Sequence, residues 1–244
     1  MLGLYINDTE TGVTSENRLF ADDCTVYRTI KSSADGVVFQ SHISNLPSRT
    51  RTWQMHCNPD KCHILHIICK RNETIPSYHL GQNTLSVVDA YPYLGVTISS
   101  DLRWDRHVTV ISTKATLALN FVHRNIYRCT PKAKELAHTS LACPLMEFAA
   151  PAWDPYRVKD INKLEMVQRH AARFAKSDYR RTTSVSKLID DFGLENPFRT
   201  QKSTRLNMFG KAVGGKVAIP VDKLKQSTTQ TATTTHYSIT ALQP

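Results

Sequence analysis

The hydrophobic and polar positions of the chain follow one pattern up to about residue 100 and another beyond it. In residues 1–100, short apolar runs rich in β-branched and aromatic residues are separated by polar connections, which is typical of strands. In residues 103–212, apolar residues recur at steps of three and four, which predicts amphipathic helices. The chain is therefore predicted to be an α+β protein.

The helical part begins with one long apolar stripe. Its members share a single face of the first predicted helix: Val108, Ile111, Ala115, Leu119, Val122 and Ile126. Pro131 is well placed to open the next helix, because the first helical position needs no N–H donor. Leu136, Ser140 and Leu141 follow it in this predicted helix. A further helix carries Ile161, Leu164, Gln168, Ala171 and Phe174 or Ala175.

Two adjacent carboxylates lie between two predicted strands. Leu19-Phe20-Ala21 and Cys24-Thr25-Val26-Tyr27 are apolar runs, and Asp22-Asp23 is the two-residue link between them. Aspartate is common in turns for its own hydrogen-bonding reasons, so the pair alone is weak evidence for a site. At a hairpin apex, however, two like charges lie close together, and a bound cation would offset their repulsion.

Five blocks of sequence carry a family pattern. The first is Leu4-Tyr5-Ile6-Asn7-Asp8 with Leu19-Phe20-Ala21-Asp22-Asp23 and Tyr27. The others are Trp53-Gln54-Met55 with Asn58-Pro59-Asp60-Lys61-Cys62; Tyr93-Leu94-Gly95-Val96 with Leu102, Trp104 and His107; Leu145-Met146-Glu147-Phe148-Ala149 with Trp153-Asp154-Pro155; and Leu164-Glu165, Val167-Gln168 and Ala171-Ala172-Arg173-Phe174. In this order the blocks resemble the reverse transcriptases of non-LTR (LINE-type) retrotransposons, beginning at their third catalytic motif.

The resemblance implies a partial polymerase palm of antiparallel β-hairpins in residues 1–100 and an α-helical thumb in residues 101–215. It also implies two-metal nucleotidyl transfer with Mg²⁺. Asp22 matches the principal metal ligand of the motif, and Asp23 matches a more peripheral acidic position; both are candidate catalytic and metal-binding residues. An RNA template and a DNA primer are the implied partners.

The chain departs from the family pattern in three respects. The family's first catalytic aspartate motif and its fingers precede the blocks found here, so we expect the chain to be catalytically incomplete alone. The family also has an amphipathic helix around residues 46–52, where Pro47 and Ser48 argue against a long helix. Residues 216–244 are rich in threonine and have little to bury, and we expect them to be disordered.

The charge of the chain favours a polyanionic partner. Lysine and arginine number 31 and aspartate and glutamate 21, which gives a formal net charge of +10. No run of about 18 apolar residues predicts a membrane span, and the first residues lack the basic start of a signal peptide. Six scattered cysteines form no disulfide framework. We expect a protein of the nucleus or cytoplasm that is not secreted and has no membrane partner.

One group of basic residues is the strongest candidate for nucleic-acid binding: Arg169, Arg173, Lys176, Arg180 and Arg181. The first four are separated by steps of four, three and four, which aligns them on one face of a continuous helix. Contacts to phosphates require Lys or Arg on one face and no base code. A solvated helix face is the plainer interpretation of the same pattern.

Three other patterns are better explained by structure than by ligand binding. The histidines and cysteines of residues 56–69 lack the spacing of a zinc site, and a core strand is favoured there. Residues 210–216 have the spacing of a phosphate-binding loop, but Val217 replaces its Mg²⁺-binding hydroxyl, which favours a helix end. Trp53, Trp104 and Trp153 are predicted to pack in or near the core.

Three functions stay open at this point. The leading one is a fragment of a retrotransposon RNA-directed DNA polymerase that is inactive alone. The second is a non-catalytic module that binds nucleic-acid backbones. The third is a decayed retroelement remnant with no selected function, which the start inside a motif block and the unmatched threonine-rich tail favour.

We expect the chain to show no primer extension on an RNA template with Mg²⁺ and deoxynucleotides, because the family's first catalytic aspartate motif is not among its blocks. A gel-based extension assay measures this, with the Asp22→Asn variant as the control. Nucleotide incorporation by the unchanged chain that the variant loses would contradict the expectation.

Overall fold

The computed structural model describes residues 16–20, 23–52, 58–67, 76–180, 182–190, 197–217 and 237–242, which form a mixed α+β structure. The chain divides into two compact units. Residues 1–103 and 229–244 form the first, here called the sheet unit, and residues 104–228 form the second, the helical unit. The division after Arg103 lies close to the boundary expected after residue 100.

Short strands make up most of the sheet unit. They are β1 (Glu16–Phe20), β2 (Asp23–Thr29), β3 (His63–Ile67), β4 (His79–Leu80), β5 (Asn83–Thr84), β6 (Ser86–Val88), β7 (Ala90–Tyr93), β8 (Val96–Ser99) and β9 (Tyr237–Leu242). Five of them form one sheet in the order β1-β2-β9-β3-β6. The strands β4 and β5 form one antiparallel pair and β7 and β8 another.

The strands β1 and β2 form the predicted antiparallel hairpin. Glu16 pairs with Tyr27 and Phe20 pairs with Asp23, so residues 21 and 22 connect the two strands. Asp22 and Asp23 are predicted to form the link together, whereas the register makes Asp23 the first residue of β2. The hairpin is confirmed, and its connection lies one residue earlier, because the ladder closes with the pair Phe20–Asp23.

The strand β9 differs from the expectation for the C-terminal tail. Residues 216–244 are expected to be disordered, but Tyr237–Leu242 forms a strand between β2 and β3, antiparallel to both. Its sequence alternates apolar and polar residues and contains the β-branched Ile239 and Thr240, which suit a strand. Ladders on both sides supply its hydrogen bonds, and neither partner strand is near it in sequence. Residues 218–236 lie outside the described residues.

A long helix, α1 (Ser33–Thr52), packs on the sheet. It begins at a capping box, in which the backbone N–H of Asp35 donates to Ser32 Oγ and the N–H of Ser32 donates to Asp35 Oδ2. The helix continues through Pro47, so the expectation that no long helix forms here is wrong. Proline has no N–H, so the helix loses one hydrogen bond at Pro47. The free energy gained by burying Phe39, Ile43 and Leu46 on the inner face exceeds the cost of that loss.

The core of the sheet unit lies between α1 and the strands. Val26, Ile64 and Tyr78 are at most 1% exposed and pack with the inner face of α1. The ring of Tyr78 meets Phe39 edge to face, with 5.1 Å between ring centroids. The strand β3 is buried along four of its five residues, which confirms the core strand that the sequence favours over a zinc site.

The helical unit contains the helices α2 (Asp105–Ile126), α3 (Pro131–Leu141), α4 (Cys143–Glu147), α5 (Val158–Lys176), α6 (Val185–Asp190) and α7 (Pro197–Val213). The predicted stripe of α2 is confirmed: its members are buried, except Ile126, which is partly buried. Leu119 and Val122 of this stripe pack against Ala171 and Phe174 of α5. The predicted buried positions of α5 are also confirmed, with Ile161 half-buried at their edge.

The helix α3 begins where the sequence predicts, and the face that it turns inward carries polar residues. Pro131 is its first residue, and Thr130 Oγ1 accepts a hydrogen bond of 3.3 Å from the N–H of Ala133. The buried residues, however, are Lys134 and His138. Leu136 is 66% exposed and Leu141 is 47% exposed. Contacts with neighbouring helices, and not hydrophobicity along the chain, therefore set the rotation of α3.

The three tryptophans are predicted to pack in or near the core. Trp153 is 1% exposed, and its Nε1–H donates to the carbonyl of Phe148 at 3.0 Å; its core position is confirmed. Trp104 is half-buried, and Trp53 lies outside the described residues.

The helix α7 runs through Gly210 and ends at Val213, so the phosphate-loop pattern is a helix end. None of the described helices is long and apolar enough to cross a membrane.

Candidate nucleic-acid interface

The hairpin tip is the first predicted site. Asp22 and the side chain of Asp23 lie outside the described residues, so the structure gives no position for either carboxylate. In the part of the chain that is described, no group of three or more His, Cys, Asp or Glu side chains could hold a metal ion. The described residues supply no ligand set for Mg²⁺, which stays an expectation of the sequence resemblance.

The positive charge of the chain belongs to one unit. The helical unit, residues 104–228, has 22 Lys and Arg against 11 Asp and Glu, a formal charge of +11. The sheet unit has 9 against 10. Charge of one sign concentrated on one compact unit raises the local concentration of oppositely charged partners. A polyanion would therefore be attracted to the helical unit.

The helix α5 carries three of the predicted basic residues on one face. Arg169 and Lys176 are exposed and Arg173 is half-buried at the edge of the same face. The opposite face is buried from Leu164 to Ala175. This division follows the 3.6-residue period of the helix, because the apolar positions fix its rotation and leave the basic ones outside. The face formed by Arg169, Arg173 and Lys176 is called the α5 basic face below.

Hydrogen bonds within the chain position both arginines of the α5 basic face. Arg169 Nη2 donates to Glu165 Oε2 at 2.8 Å, one helical turn earlier. Arg173 Nη1 donates to the backbone carbonyl of Arg180 at 3.1 Å. The first contact is a surface ion pair, and such pairs contribute about 0–1 kcal/mol. The second contact holds the chain that follows α5 against the end of the helix.

Arg180 does not belong to this face, in contrast to the sequence analysis. The helix α5 ends at Lys176, because Ser177 adopts a left-handed conformation with φ of 51°. Arg180 Nη2 and Nε donate to the two oxygens of Asp178 at 2.8 Å and 3.1 Å. These hydrogen bonds hold the pKa of Asp178 well below its usual range. Arg181 lies outside the described residues.

A cysteine–histidine pair is a site that the sequence analysis does not identify. Cys143 Sγ lies 3.4 Å from His138 Nε2. A catalytic pair needs a thiolate, which requires a lowered thiol pKa. Here burial, and to a lesser extent the charge of Glu147, raises the pKa of Cys143 to about 11. The pair is a partly buried polar contact, and the raised pKa of the thiol argues against a nucleophile with its base.

No protein-family model matches the chain, and neither a similar curated protein nor a similar solved structure was found. The function of the chain is consequently inferred from its residues: the order of the sequence blocks, the charge of the helical unit and the geometry of α5.

The stability of the protein should depend on pH, because two histidines are buried and have lowered pKa values. Burial, with a smaller contribution from Lys114, lowers the pKa of His107 to about 4. Burial also lowers the pKa of His138 to about 4. In the unfolded chain a histidine has a pKa of about 6.5. Between these values the unfolded state binds more protons, so stability is complete above pH 6.5 and falls as the pH falls toward 4.

We expect each of the two histidines to reduce the free energy of unfolding by about 2 kcal/mol between pH 7 and pH 5. Urea denaturation followed by circular dichroism measures this, and His138→Gln should remove about 2 kcal/mol of the loss. The matched control is His170→Gln, which replaces an exposed histidine and keeps both buried ones. Equal stability of the unchanged protein at the two pH values would contradict the burial of both neutral imidazoles.

Proposed function

We propose that this chain derives from the reverse transcriptase of a non-LTR retrotransposon and that its helical unit binds nucleic-acid backbones. The observation that carries the proposal is the confinement of the positive charge to the helical unit, +11 over residues 104–228. Binding to phosphates is driven by this kind of charge and requires no base recognition. The five sequence blocks supply the link to the family.

The dimensions of the α5 basic face support a contact with one nucleic-acid strand. Arg169 and Lys176 are seven residues apart, which is about 10 Å along the helix at a rise of about 1.5 Å per residue. Phosphates of one strand of a duplex are spaced by about 3.4 Å along its axis. The face is therefore long enough to meet about three phosphates.

The partners of Arg169 and Arg173 leave both arginines able to bind phosphate. A phosphate can replace Glu165 as the partner of Arg169, because the exposed ion pair between them is weak. Arg173 uses one of its five N–H donors for the carbonyl of Arg180. Both arginines can form paired hydrogen bonds with phosphate oxygens, which a lysine cannot do.

Polymerase activity is the second candidate function. The β1–β2 hairpin favours it, because Asp22 lies in the connection and Asp23 begins the second strand. The proposal assigns no reaction step to this hairpin, because the described residues supply no Mg²⁺ ligand set. The primer-extension assay with Asp22→Asn decides between a binding fragment and an active one.

We expect the chain to bind a primer–template duplex with an affinity that falls with salt at a log–log slope of about −3 to −4, corresponding to three or four phosphates. Neutralising two residues, Arg169→Gln with Lys176→Gln, should reduce the slope to about −1 to −2. Fluorescence anisotropy at several salt concentrations measures both. Arg173 is kept because its hydrogen bond positions the chain after α5.

The matched control is Lys31→Gln with Lys61→Gln, which changes the net charge equally but alters exposed residues of the sheet unit. We expect this variant to keep the slope of the unchanged protein. Equal losses of slope in both double variants would show that net charge, and not the α5 basic face, determines binding. Absence of salt-dependent binding would favour a retroelement remnant with no selected function.

A further inference from the structure

A pocket of about 390 Å³ lies inside the helical unit, among the last turns of α2, the first half of α3 and the end of α5. Pockets that bind small molecules have volumes of about 300–1,000 Å³. The pocket is thus large enough for a small organic ligand and larger than a single ion requires. It shares no residue with the α5 basic face.

The most unusual residue of the pocket is Lys134. Its side chain is 4% exposed, its Nζ donates to Ser177 Oγ at 3.1 Å, and the same atom lies 4.8 Å from the centre of the Phe174 ring. The ion pairs found among the described residues do not include Lys134. A buried ammonium group is costly unless hydrogen bonds and an opposite charge compensate it.

The rest of the lining adds positive charge and hydrogen-bond donors. Arg124 and His123 line the pocket from α2, and neither Asp nor Glu is part of the lining. The hydroxyl of Tyr179 lies 3.3 Å from His123 Nε2. An anion in this pocket would meet two basic side chains, Arg124 and Lys134, and the hydroxyl groups of Ser177 and Tyr179.

The pocket also contains exposed aromatic rings. Tyr127 is 55% exposed and Tyr179 is 60% exposed, and both line the pocket. Aromatic side chains of this kind stack on nucleobases, which all have a flat π face. The Arg128 guanidinium lies 5.2 Å from the centre of the Tyr127 ring, so a base would have to stack on the other face of that ring. The combination of cations with exposed aromatic rings matches a ligand that has both a phosphate group and a planar ring.

We propose that this pocket binds a nucleoside monophosphate, either as a free nucleotide or as the 5′-phosphorylated end of a strand. The phosphate lies against Lys134 and Arg124, and the base stacks on the ring of Tyr127 or Tyr179. The phosphate supplies the counter-charge that Lys134 lacks among the described residues. The site is independent of the proposed function, because the α5 basic face contacts the backbone of a strand without this pocket.

The structure contains one competing explanation for Lys134. The C-terminal ends of α2 and α5 lie beside the pocket, and the partial negative charge of their carbonyls stabilises a nearby cation. If these dipoles fully compensate Lys134, the pocket has no affinity for phosphate. The experiment therefore compares a ligand that has the phosphate with one that lacks it, and variants that each lose one basic side chain.

Isothermal titration calorimetry of the full chain with AMP and with adenosine tests the proposal. We expect AMP to bind at least about tenfold more tightly than adenosine, because charge-assisted hydrogen bonds to the phosphate are among the stronger ones. Lys134→Met should weaken AMP binding by about tenfold or more. Lys132→Met, two residues earlier on an exposed position of α3, should leave it within about twofold.

Arg124→Gln is the second variant, because Arg124 is exposed and its replacement does not disturb the core. It should weaken AMP binding severalfold, and it decides the result if Lys134→Met does not fold. Short strands with a 5′-phosphate or a 5′-hydroxyl identify the source of the ligand. Preference for the phosphorylated strand together with weak AMP binding supports a strand end, and tight AMP binding supports a free nucleotide.

Two results would overturn the proposal. One is the absence of binding of AMP and of the 5′-phosphorylated strand. The other is binding of equal strength by the unchanged protein and the Arg124→Gln and Lys134→Met variants. The proposed function fails separately, because Arg169→Gln with Lys176→Gln alters the salt dependence of duplex binding and leaves the pocket lining unchanged.

Discussion

The packing of α2 against α5 is the contact on which the functional surfaces of this protein depend. Leu119 and Val122 bury their side chains against Ala171 and Phe174, at the centre of the helical unit. This contact fixes the rotation of α5 about its axis, so its basic residues point to solvent. It also holds Phe174 where its ring lies 4.8 Å from the ammonium group of Lys134. One apolar stripe thus positions both a charged surface and a charged pocket.

The helical unit has an electrostatic cost that its internal contacts offset only in part. A formal charge of +11 on residues 104–228 produces self-repulsion, which disfavours the compact state. The pairs Glu165–Arg169 and Asp178–Arg180 reduce it locally. Surface pairs contribute little each, so most of the repulsion persists. A bound polyanion would relieve it, which links the stability of this unit to its proposed partner.

The sequence predicts the elements of this fold better than their contacts. The stripe of α2 and the hairpin of β1 and β2 follow from local periodicity, which is why both are predicted correctly. The burial of Lys134 and His138 is not predictable, because both are polar and their neighbours are distant in sequence. The helix through Pro47 forms for a similar non-local reason. The basic pattern predicts Arg180 on the same helix face as Arg169, Arg173 and Lys176. This prediction is wrong, because the left-handed conformation of Ser177 ends α5 before Arg180.

The central claim, that the α5 basic face contacts nucleic acid, is tested most directly by lysine footprinting. The full chain is acetylated with and without a primer–template duplex, and the rate at each lysine is measured by mass spectrometry. The account predicts slower acetylation of Lys176 in the complex, reversal of this protection at high salt, and unchanged rates at Lys31 and Lys61. Protection of Lys31 and Lys61 with no change at Lys176 would contradict it.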